Sequence, residues 1–253
     1  IEWHISEELV RYAAGELVPV VETLGGTRKP LLPGYRSRLL DGNCIEATEN
    51  RIKELRGIGS GPLPGKTLVV YDWEHGLPVN VFACEDDHAQ ERSLLGGVLA
   101  TVEKGELWIG DRNFNVVSFT CGIDDRDAKC ILRQHGNSPW SAAGPEKARG
   151  KTDTGKLFEQ EIEVTDEAGK TRLFRRIRME LKVETRDGDK EICILTNLKR
   201  EEASAKKIAD IYRKRWRIET AFQELKERLN SEINALGYPP AAIFGFYVSL
   251  VIY

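Results

Sequence analysis

The sequence has no run of about 18 apolar residues, the length a helix needs to cross a bilayer. The nearest approach is the 13-residue segment Ala241 to Tyr253, so we expect no membrane span. The chain does not begin with methionine, and no basic segment followed by an apolar one opens it, which argues against a signal peptide. Because the last apolar segment stops at Tyr253, we expect a fragment truncated at both ends.

Recognisable spacings of soft metal ligands are also lacking. The cysteines are odd in number and no two form a C-x-x-C pair, while the four histidines are scattered. A disulfide framework and a structural zinc site are therefore disfavoured, and reduced thiols in a cytoplasmic protein are the better interpretation. The five cysteines are Cys44, Cys84, Cys121, Cys130 and Cys193.

The composition is that of a globular protein, with 41% hydrophobic and 30% charged residues. The net charge is −3, but the segment from Lys199 to Leu229 holds ten basic and six acidic residues, a local balance of +4. The remainder is then −3 − 4 = −7. A basic stretch in an acidic chain indicates either a polyanionic partner or a solvated helix face, and charge alone leaves both open.

Alternating strand and helix patterns predict a mixed α/β core. A helix is predicted from Ile5 to Glu22, with Pro19 ending or kinking it and Leu9, Tyr12, Ala13, Leu17 and Val20 at helical spacing. The other predicted elements are a strand containing Asp41, a hairpin of Thr67–Tyr71 and Leu77–Cys84, a helix over Asp87–Lys104, strands at Glu106–Ile109, Lys129–Gln134 and Ile192–Thr196, a helix over Asn115–Cys121, and a β-rich insertion at Pro139–Asp189.

A long helix is predicted from about Ser204 to Asn230, and it carries the most informative pattern. At 100° per residue, four polar side chains fall within an arc of about 60°. They are Tyr212, Arg215, Glu219 and Lys226. Ile211, Ile218, Phe222 and Leu225 form an apolar stripe beside them. A carboxylate bordering the core suits a metal ligand and flanking cations suit phosphate, although an i,i+4 ion pair of Arg215 with Glu219 would produce the same pattern.

The spacing Tyr212-x2-Arg215-x3-Glu219-x6-Lys226 resembles the Y-(2)-R-(3)-E-(6)-K signature of bacterial insertion-sequence transposases of the DDE type, the insertion-sequence-four family. Further segments are similar to blocks of that family, and together they span roughly residues 36–240. They are Leu40–Asn43, Pro62–Gly65, His88–Leu95, Leu107–Phe114 and Leu195–Leu198.

The resemblance implies a ribonuclease-H-like mixed sheet flanked by helices and interrupted by the β-rich insertion. The implied organisation is an N-terminal segment at 1–35, core parts at 36–138 and 191–253, and the insertion at 139–190. It also implies a catalytic triad of Asp41, Asp111 and Glu219 that binds Mg²⁺ or Mn²⁺, two ions in all. Three hard oxygen ligands suit these cations, and two ions can activate a water and stabilise the leaving oxygen of a phosphodiester.

The family resemblance assigns Tyr212, Arg215 and Lys226 to phosphates at the transposon end, and Arg112 could act similarly. Trp140 is either a base-stacking residue, as in relatives, or a packed structural tryptophan. Trp216 borders the polar arc and is either packing or a DNA contact. Glu91 is either a support for the site or a surface residue.

Asp72 is a rival first carboxylate because it also follows an apolar strand, but it begins a hairpin turn, where Asp is common for local reasons. We expect the remaining aspartates of the charged loops to be solvated. They are Asp86, Asp87, Asp124, Asp125 and Asp127.

The predicted function is that of a DNA transposase that cuts double-stranded DNA at transposon ends and joins it to target DNA. The resemblance implies a homodimer in the synaptic complex and a bacterial, nucleoid-associated location in the cytoplasm. Two alternatives stay open: a catalytically silent fragment that binds DNA or dimerises, and a ribonuclease-H-like nuclease of another type.

Overall fold

The computed structural model describes residues 3–44, 66–83, 91–185, 188–229 and 239–253. The predicted connector at 57–65 and the block Pro62–Gly65 lie outside these residues, as do residues 88–90 of the block His88–Leu95. The chain forms two compact units. The first unit comprises Ile1–Lys29, Arg38–Val98 and Trp216–Tyr253, and the second comprises Pro30–Ser37 and Leu99–Arg215.

Three antiparallel strands form the sheet of the first unit: β1 (Arg36–Cys44, most of it in this unit), β2 (Lys66–Asp72) and β3 (Leu77–Ala83). The predicted hairpin is confirmed as β2 and β3, and Gly76 supplies the positive φ of its turn, +74°. Asp41 pairs with Val69 in the register of β1 with β2, so it lies within a strand rather than in a loop.

The first helix, α1 (Trp3–Thr23), continues through Pro19, so the predicted break is wrong. The buried face is also different from the predicted one, since Val10 and Ala14 are buried whereas Tyr12 is 68% exposed. Polar side chains explain the rotation: Arg11 Nε donates to Asn80 Oδ1 at 2.6 Å, and the backbone of β3 also binds this face. A helix that hydrogen-bonds an edge strand in this way keeps the strand from pairing elsewhere.

The helix α6 (Pro239–Ile252) packs against α1 and β3 in the same unit. Its buried face includes Phe246 and Tyr247, and the Tyr247 hydroxyl lies 3.1 Å from Thr67 Oγ1. Residues 87–90 of the helix predicted over Asp87–Lys104 lie outside the described residues; from 91 on, a 3-10 turn at Glu91–Leu94 leads into α2 (Leu95–Ala100), which ends before the predicted Lys104. Two adjacent glycines in α2 have low helix propensity, which explains the short helix.

The second unit is built on a mixed sheet in which most neighbouring strands are antiparallel. Its strands run in the spatial order β4-β5-β10-β9-β8-β6, with β7 beside β8. They are β4 (Glu106–Gly110), β5 (Lys129–Arg133), β6 (Ser141–Ala142), β7 (Lys147–Lys151), β8 (Gly155–Thr165), β9 (Thr171–Leu181) and β10 (Glu191–Thr196). Among the described strands of this unit, β4 and β5 are the parallel pair. The predicted fold class is thus confirmed: an α/β chain with a large mixed sheet flanked by helices, as in a ribonuclease-H-like domain.

The strands of the predicted insertion continue this sheet, because all six residues of β10 pair with β9. The predicted strands at Phe158–Thr165 and Arg172–Val183 correspond to β8 and β9. Gly155 makes the close approach possible, since an added Cβ would lie 1.8 Å from the carbonyl oxygen of Glu180. The domain boundaries at 139 and 190 stay a prediction.

The helix α3 (Val117–Asp125) links the parallel strands β4 and β5, and it begins and ends later than the predicted Asn115–Cys121. Phe119 of α3 packs edge-on against Trp108 of β4, with ring centroids 6.4 Å apart. This contact holds α3 against the sheet. The helix begins shortly after the 3-10 turn that follows β4.

The long helix predicted over Ser204–Asn230 is interrupted, which corrects the continuous arc of four side chains. The structure has α4 (Ala205–Tyr212), a 3-10 turn at Arg213–Arg215, and α5 (Trp216–Leu229). A 3-10 turn brings side chains three residues apart into line, and here it places the Arg215 guanidinium 5.9 Å from the centroid of the Tyr212 ring. Residue 230 lies outside the described part of the chain.

No helix among the described residues is long and apolar enough to span a membrane.

Candidate active site

Asp111 directly follows β4, whose five residues are all buried. Its backbone is extended, with φ −80° and ψ 177°, and it begins the 3-10 turn Arg112–Phe114. The carboxylate does not cap that turn. It is half-buried and accepts a hydrogen bond from the Tyr212 hydroxyl at 3.2 Å. The buried strand therefore delivers a carboxylate that local backbone bonds leave available.

Tyr212 is the last residue of α4 and is 7% exposed. Burial raises its pKa well above 10, and the charge of Asp111 adds to this although Arg215 opposes it. The phenol therefore stays protonated near neutral pH and donates to Asp111. Arg215 is also 7% exposed and lies against the Tyr212 ring. The structure thus brings together Asp111, Tyr212 and Arg215 within the second unit.

Two residues of this cluster were not among the predicted site residues. Arg133 ends β5, and its Nη2 donates to Asp189 Oδ2 at 2.6 Å. The parallel register ends with Gly110 opposite Leu132, and continuing it by one residue would align Arg133 with Asp111. A parallel pairing of the two predicted strands could have indicated Arg133, but no pattern in the sequence marks Asp189.

Asp41 lies in β1 of the first unit and is half-buried. Its Oδ1 accepts a hydrogen bond from the backbone N–H of Gly42 at 3.1 Å. Asp41 is thus in a strand, as predicted, three residues before the last residue of β1.

Glu219 lies in the first turn of α5 and is exposed. It belongs to the first unit, like Asp41, whereas Asp111 belongs to the second. Ile211 and Ile218 of the predicted apolar stripe are buried. Lys226 lies in α5, but its side chain is outside the described part of the structure, as are those of Trp216 and Glu91.

The rival carboxylate Asp72 has a structural role. It is 4% exposed, binds the Arg38 guanidinium, and accepts hydrogen bonds from the backbone N–H of His75 at 3.0 Å and from its ring. Burial acts to raise the pKa of Asp72, but Arg38 and His75 outweigh it, so the pKa is lowered. Its bonds within the turn and its ion pair with Arg38 explain why an aspartate occupies this position, and the sequence likewise assigned Asp72 to the turn.

Asp125 is the last residue of α3, and its side chain is 44% exposed, in agreement with the predicted solvation, although it also binds two cations. This carboxylate binds Arg172 Nη2 at 2.7 Å and Lys170 Nζ at 2.8 Å. These bonds lower the pKa of Asp125 to about 2. Asp124 accepts from Asn197 at 2.8 Å, while Asp127 is bound by Lys104 at 3.1 Å. Asp86 and Asp87 lie outside the described residues.

Arg112 is exposed at the start of the 3-10 turn after Asp111. Trp140 is 40% exposed, and the Arg176 guanidinium lies 5.2 Å from its ring centroid. Trp140 is thus not fully buried in a core, and its ring already contacts an arginine. Its role stays a prediction.

The residues fit a hard divalent cation by their chemistry. Asp111 makes no salt bridge with a described residue and accepts one neutral hydrogen bond, so oxygen lone pairs remain for a ligand. Carboxylate oxygens are the ligands that Mg²⁺ and Mn²⁺ prefer. The described residues contain no group of three His, Cys, Asp or Glu side chains that could hold a metal.

Comparison with known proteins identifies the family of the chain. No curated protein matches the chain. The model of the family described as Transposase DDE domain matches residues 33–236, most of the chain, including β1, β4 and α5. This range holds the strand of Asp41, the strand before Asp111, and the helix of Glu219. The chain therefore belongs to the family of transposase DDE domains.

Proposed function

We propose that this chain is the catalytic domain of a DNA transposase that cleaves phosphodiester bonds at transposon ends and transfers the strand into target DNA. The observation that carries the proposal is the Asp111 carboxylate at the end of a buried strand, held by Tyr212, in a chain of the transposase DDE domain family. The Tyr-Arg-Glu-Lys pattern further suggests the insertion-sequence-four group.

Asp41, Asp111 and Glu219 are the proposed catalytic carboxylates and would hold Mg²⁺ or Mn²⁺, two ions in all. Bound cations of this kind supply an activated water and stabilise the leaving oxygen. The protein's own part is to present oxygen ligands that a cation can use. Asp111 fits this role because its hydrogen bond from Tyr212 is neutral and, within the described part of the chain, it forms no ion pair with a cation.

The cations Arg215, Lys226 and Arg112, with Tyr212, are proposed to contact phosphates of double-stranded DNA. Arg binds a phosphate through two parallel N–H groups, Lys binds as a point charge, and such contacts position DNA without reading its sequence. The Arg215 guanidinium lies 5.9 Å from the Tyr212 ring centroid, and this contact supports an oriented guanidinium at this end of α4. We further propose a homodimer in the synaptic complex and a location at the bacterial nucleoid in the cytoplasm.

The test is nicking of supercoiled plasmid by this chain with Mn²⁺. The variants are Asp41→Asn, Asp111→Asn and Glu219→Gln, with Glu161→Gln as the control because Glu161 is half-exposed on β8 and lies outside the proposed site. We expect Mn²⁺-dependent nicking by the wild type and the control, and none by the three variants. Wild-type nicking that all three variants retain would contradict the carboxylate assignment. A folded wild type that binds DNA without nicking it would instead indicate the silent fragment.

A further inference from the structure

Arg133 and Asp189 form an ion pair beside Asp111 in the second unit. Arg133 Nη2 and Asp189 Oδ2 are 2.6 Å apart, and their side chains are 15% and 30% exposed. The pairing of β4 with β5 aligns Ile109 with Ile131 and Gly110 with Leu132. One step further, the same register sets Arg133 level with Asp111.

Asp189 is fixed by its own turn before any ligand is present. Its backbone N–H donates to Thr185 Oγ1 at 3.0 Å, and the Thr185 N–H donates to the Asp189 carbonyl at 3.0 Å. The Thr185 hydroxyl also donates to Asp189 Oδ2 at 3.3 Å. These three bonds orient the carboxylate toward Arg133, so little ordering is left for a substrate to impose.

The electrostatics connect this pair to the candidate active site. Burial acts to lower the pKa of Arg133, but the bond to Asp189 and the nearby carboxylate of Asp111 help to raise it overall. The bond from Arg133 lowers the pKa of Asp189, and the charge of Arg112 contributes to this shift. The guanidinium therefore remains charged and acts on both Asp189 and Asp111.

The Arg133 guanidinium has N–H donors that its bond to Asp189 does not use. A guanidinium carries five N–H donors. Among the described residues, the Arg133 guanidinium makes one hydrogen bond, from Nη2 to Asp189. The planar fork is rigid, so fixing one nitrogen also fixes the direction of the others. A phosphate oxygen near Asp111 is the acceptor that such a fork suits.

We propose that Asp189 is a positioning residue that holds Arg133 beside Asp111 so that its remaining N–H donors meet a phosphodiester of the DNA substrate. The proposal rests on the proposed function, because it names how that site holds the reacting phosphate. An ion pair that only holds the segment before β10 against β5 would have the same N–O distance. The test therefore compares the Arg133–Asp189 pair with an ion pair of that structural kind.

The sheet offers a matched control in Arg178 and Glu146. Arg178 Nη2 and Glu146 Oε2 are also 2.6 Å apart, with side chains 17% and 29% exposed, and both lie in the second unit. Asp189→Asn and Glu146→Gln each remove one carboxylate charge and leave an amide of the same shape. Any difference between them then reports position in the site rather than loss of an ion pair.

The first readout is the kinetics of Mn²⁺-dependent nicking. We expect Asp189→Asn to lower kcat by about 10- to 100-fold with a smaller change in KM, the size of effect that misplacing a positioned group produces. Glu146→Gln should keep the wild-type kcat, and Asp189→Glu should recover part of the loss. Equal kcat values for Asp189→Asn and Glu146→Gln would overturn the proposal.

A second readout does not depend on activity, so it separates this proposal from the proposed function. The ¹⁵N resonance of Arg133 Nε, assigned by its loss in Arg133→Lys, is followed while a short DNA duplex without metal is added. We expect the duplex to shift this resonance in the wild type and in Glu146→Gln, and to shift it much less in Asp189→Asn. A resonance that the duplex leaves unchanged in the wild type would overturn the proposal, even if nicking is observed.

Discussion

Glu159 on β8 is a buried carboxylate that binds three arginine side chains. Its oxygens lie 2.7 Å from Arg149 Nε, 2.8 Å from Arg175 Nε and 2.7 Å from Arg200 Nε. Burial acts to raise the pKa of Glu159, but the bonds from Arg175 and Arg200 outweigh it and hold the pKa at about 2, below the ordinary 4.5. One buried carboxylate thus organises β7, β8, β9 and the segment before α4.

Replacing this carboxylate should destabilise the protein in a pH-dependent way. At pH 7, Glu159→Gln leaves Arg175 buried without its charge partner, so we expect the free energy of unfolding to fall by about 3–5 kcal/mol. The folded-state pKa is depressed, so this stabilisation is complete above the unfolded pKa and is lost as pH falls toward the folded one. The difference from wild type should shrink between about pH 4.5 and pH 2.

Urea unfolding at several pH values measures this difference. Glu161→Gln is the control, because Glu161 is 51% exposed and pairs with Arg200 at 3.4 Å, so its loss should be small throughout. A Glu159→Gln deficit that stays the same at every pH would show that charge at this position does not stabilise the fold.

Tyr212 provides a residue-scale test of the site itself. Tyr212→Phe removes only the hydroxyl that donates to Asp111, so we expect the free energy of unfolding to change by about 1 kcal/mol. We expect the rate of Mn²⁺-dependent nicking to fall, because Asp111 loses the donor that orients it. Steady-state nicking rates and urea unfolding measure the two effects.

Tyr35→Phe is the matched control for this prediction. Tyr35 also donates to a carboxylate, that of Glu202, and burial together with that bond raises its pKa to about 12. Its loss should change stability but not the nicking rate. If both phenylalanine variants nick DNA at the wild-type rate, the Tyr212 hydroxyl has no role in orienting Asp111.

At the scale of elements, strands were predicted more accurately than helices. Buried runs such as Leu107–Ile109 and Ile192–Thr196 define strands directly, because their side chains are apolar on consecutive positions. The buried face of a helix depends on contacts with other elements. In α1, the hydrogen bonds of Arg11 with β3 determine which face packs against the sheet, and that face is not the most apolar one. Likewise, the contact of Arg215 with the Tyr212 ring accompanies the 3-10 turn that divides the predicted long helix.

Ser204 begins α4 and caps it, which gives an element-scale prediction. Its hydroxyl accepts a hydrogen bond from the Lys207 N–H at 3.2 Å. Ser204→Ala should lower the free energy of unfolding by about 1 kcal/mol, whereas Ser204→Asp should retain the cap. Urea unfolding of both variants checks this, and equal losses for alanine and aspartate would contradict the capping role.

Gly155 gives a second element-scale prediction, at the start of β8. An added Cβ would meet the Glu180 carbonyl oxygen at 1.8 Å, so β8 and β9 must move apart in Gly155→Ala. We expect a loss of about 1–3 kcal/mol or more in the free energy of unfolding. Gly144→Ala is the control, because an added Cβ there meets nothing within 4 Å. A melting temperature of Gly155→Ala equal to that of Gly144→Ala would contradict the close approach.

For the whole molecule, the sequence predicted the α/β class, because strand and helix periodicities are patterns of neighbouring residues. The assignment of Asp111 and Tyr212 to one site came from the family resemblance, and their hydrogen bond is a finding of the structure. Arg133 and Asp189 escaped prediction because their pairing depends on strand order: β10 lies between β5 and β9, which brings the segment before β10 to the end of β5. Strand order is a property of the complete sheet and leaves no local pattern.

The central claim is that Asp111 is a ligand of a divalent cation. A thermal-shift titration with Mn²⁺ tests it most directly, since a ligand that binds only the folded state stabilises it by RT ln(1 + [L]/Kd). Wild type, Asp111→Asn and the Glu161→Gln control are compared in the absence of DNA. We predict a saturable rise in melting temperature for wild type and control that is lost or much reduced in Asp111→Asn. An equal rise in all three proteins would contradict the claim.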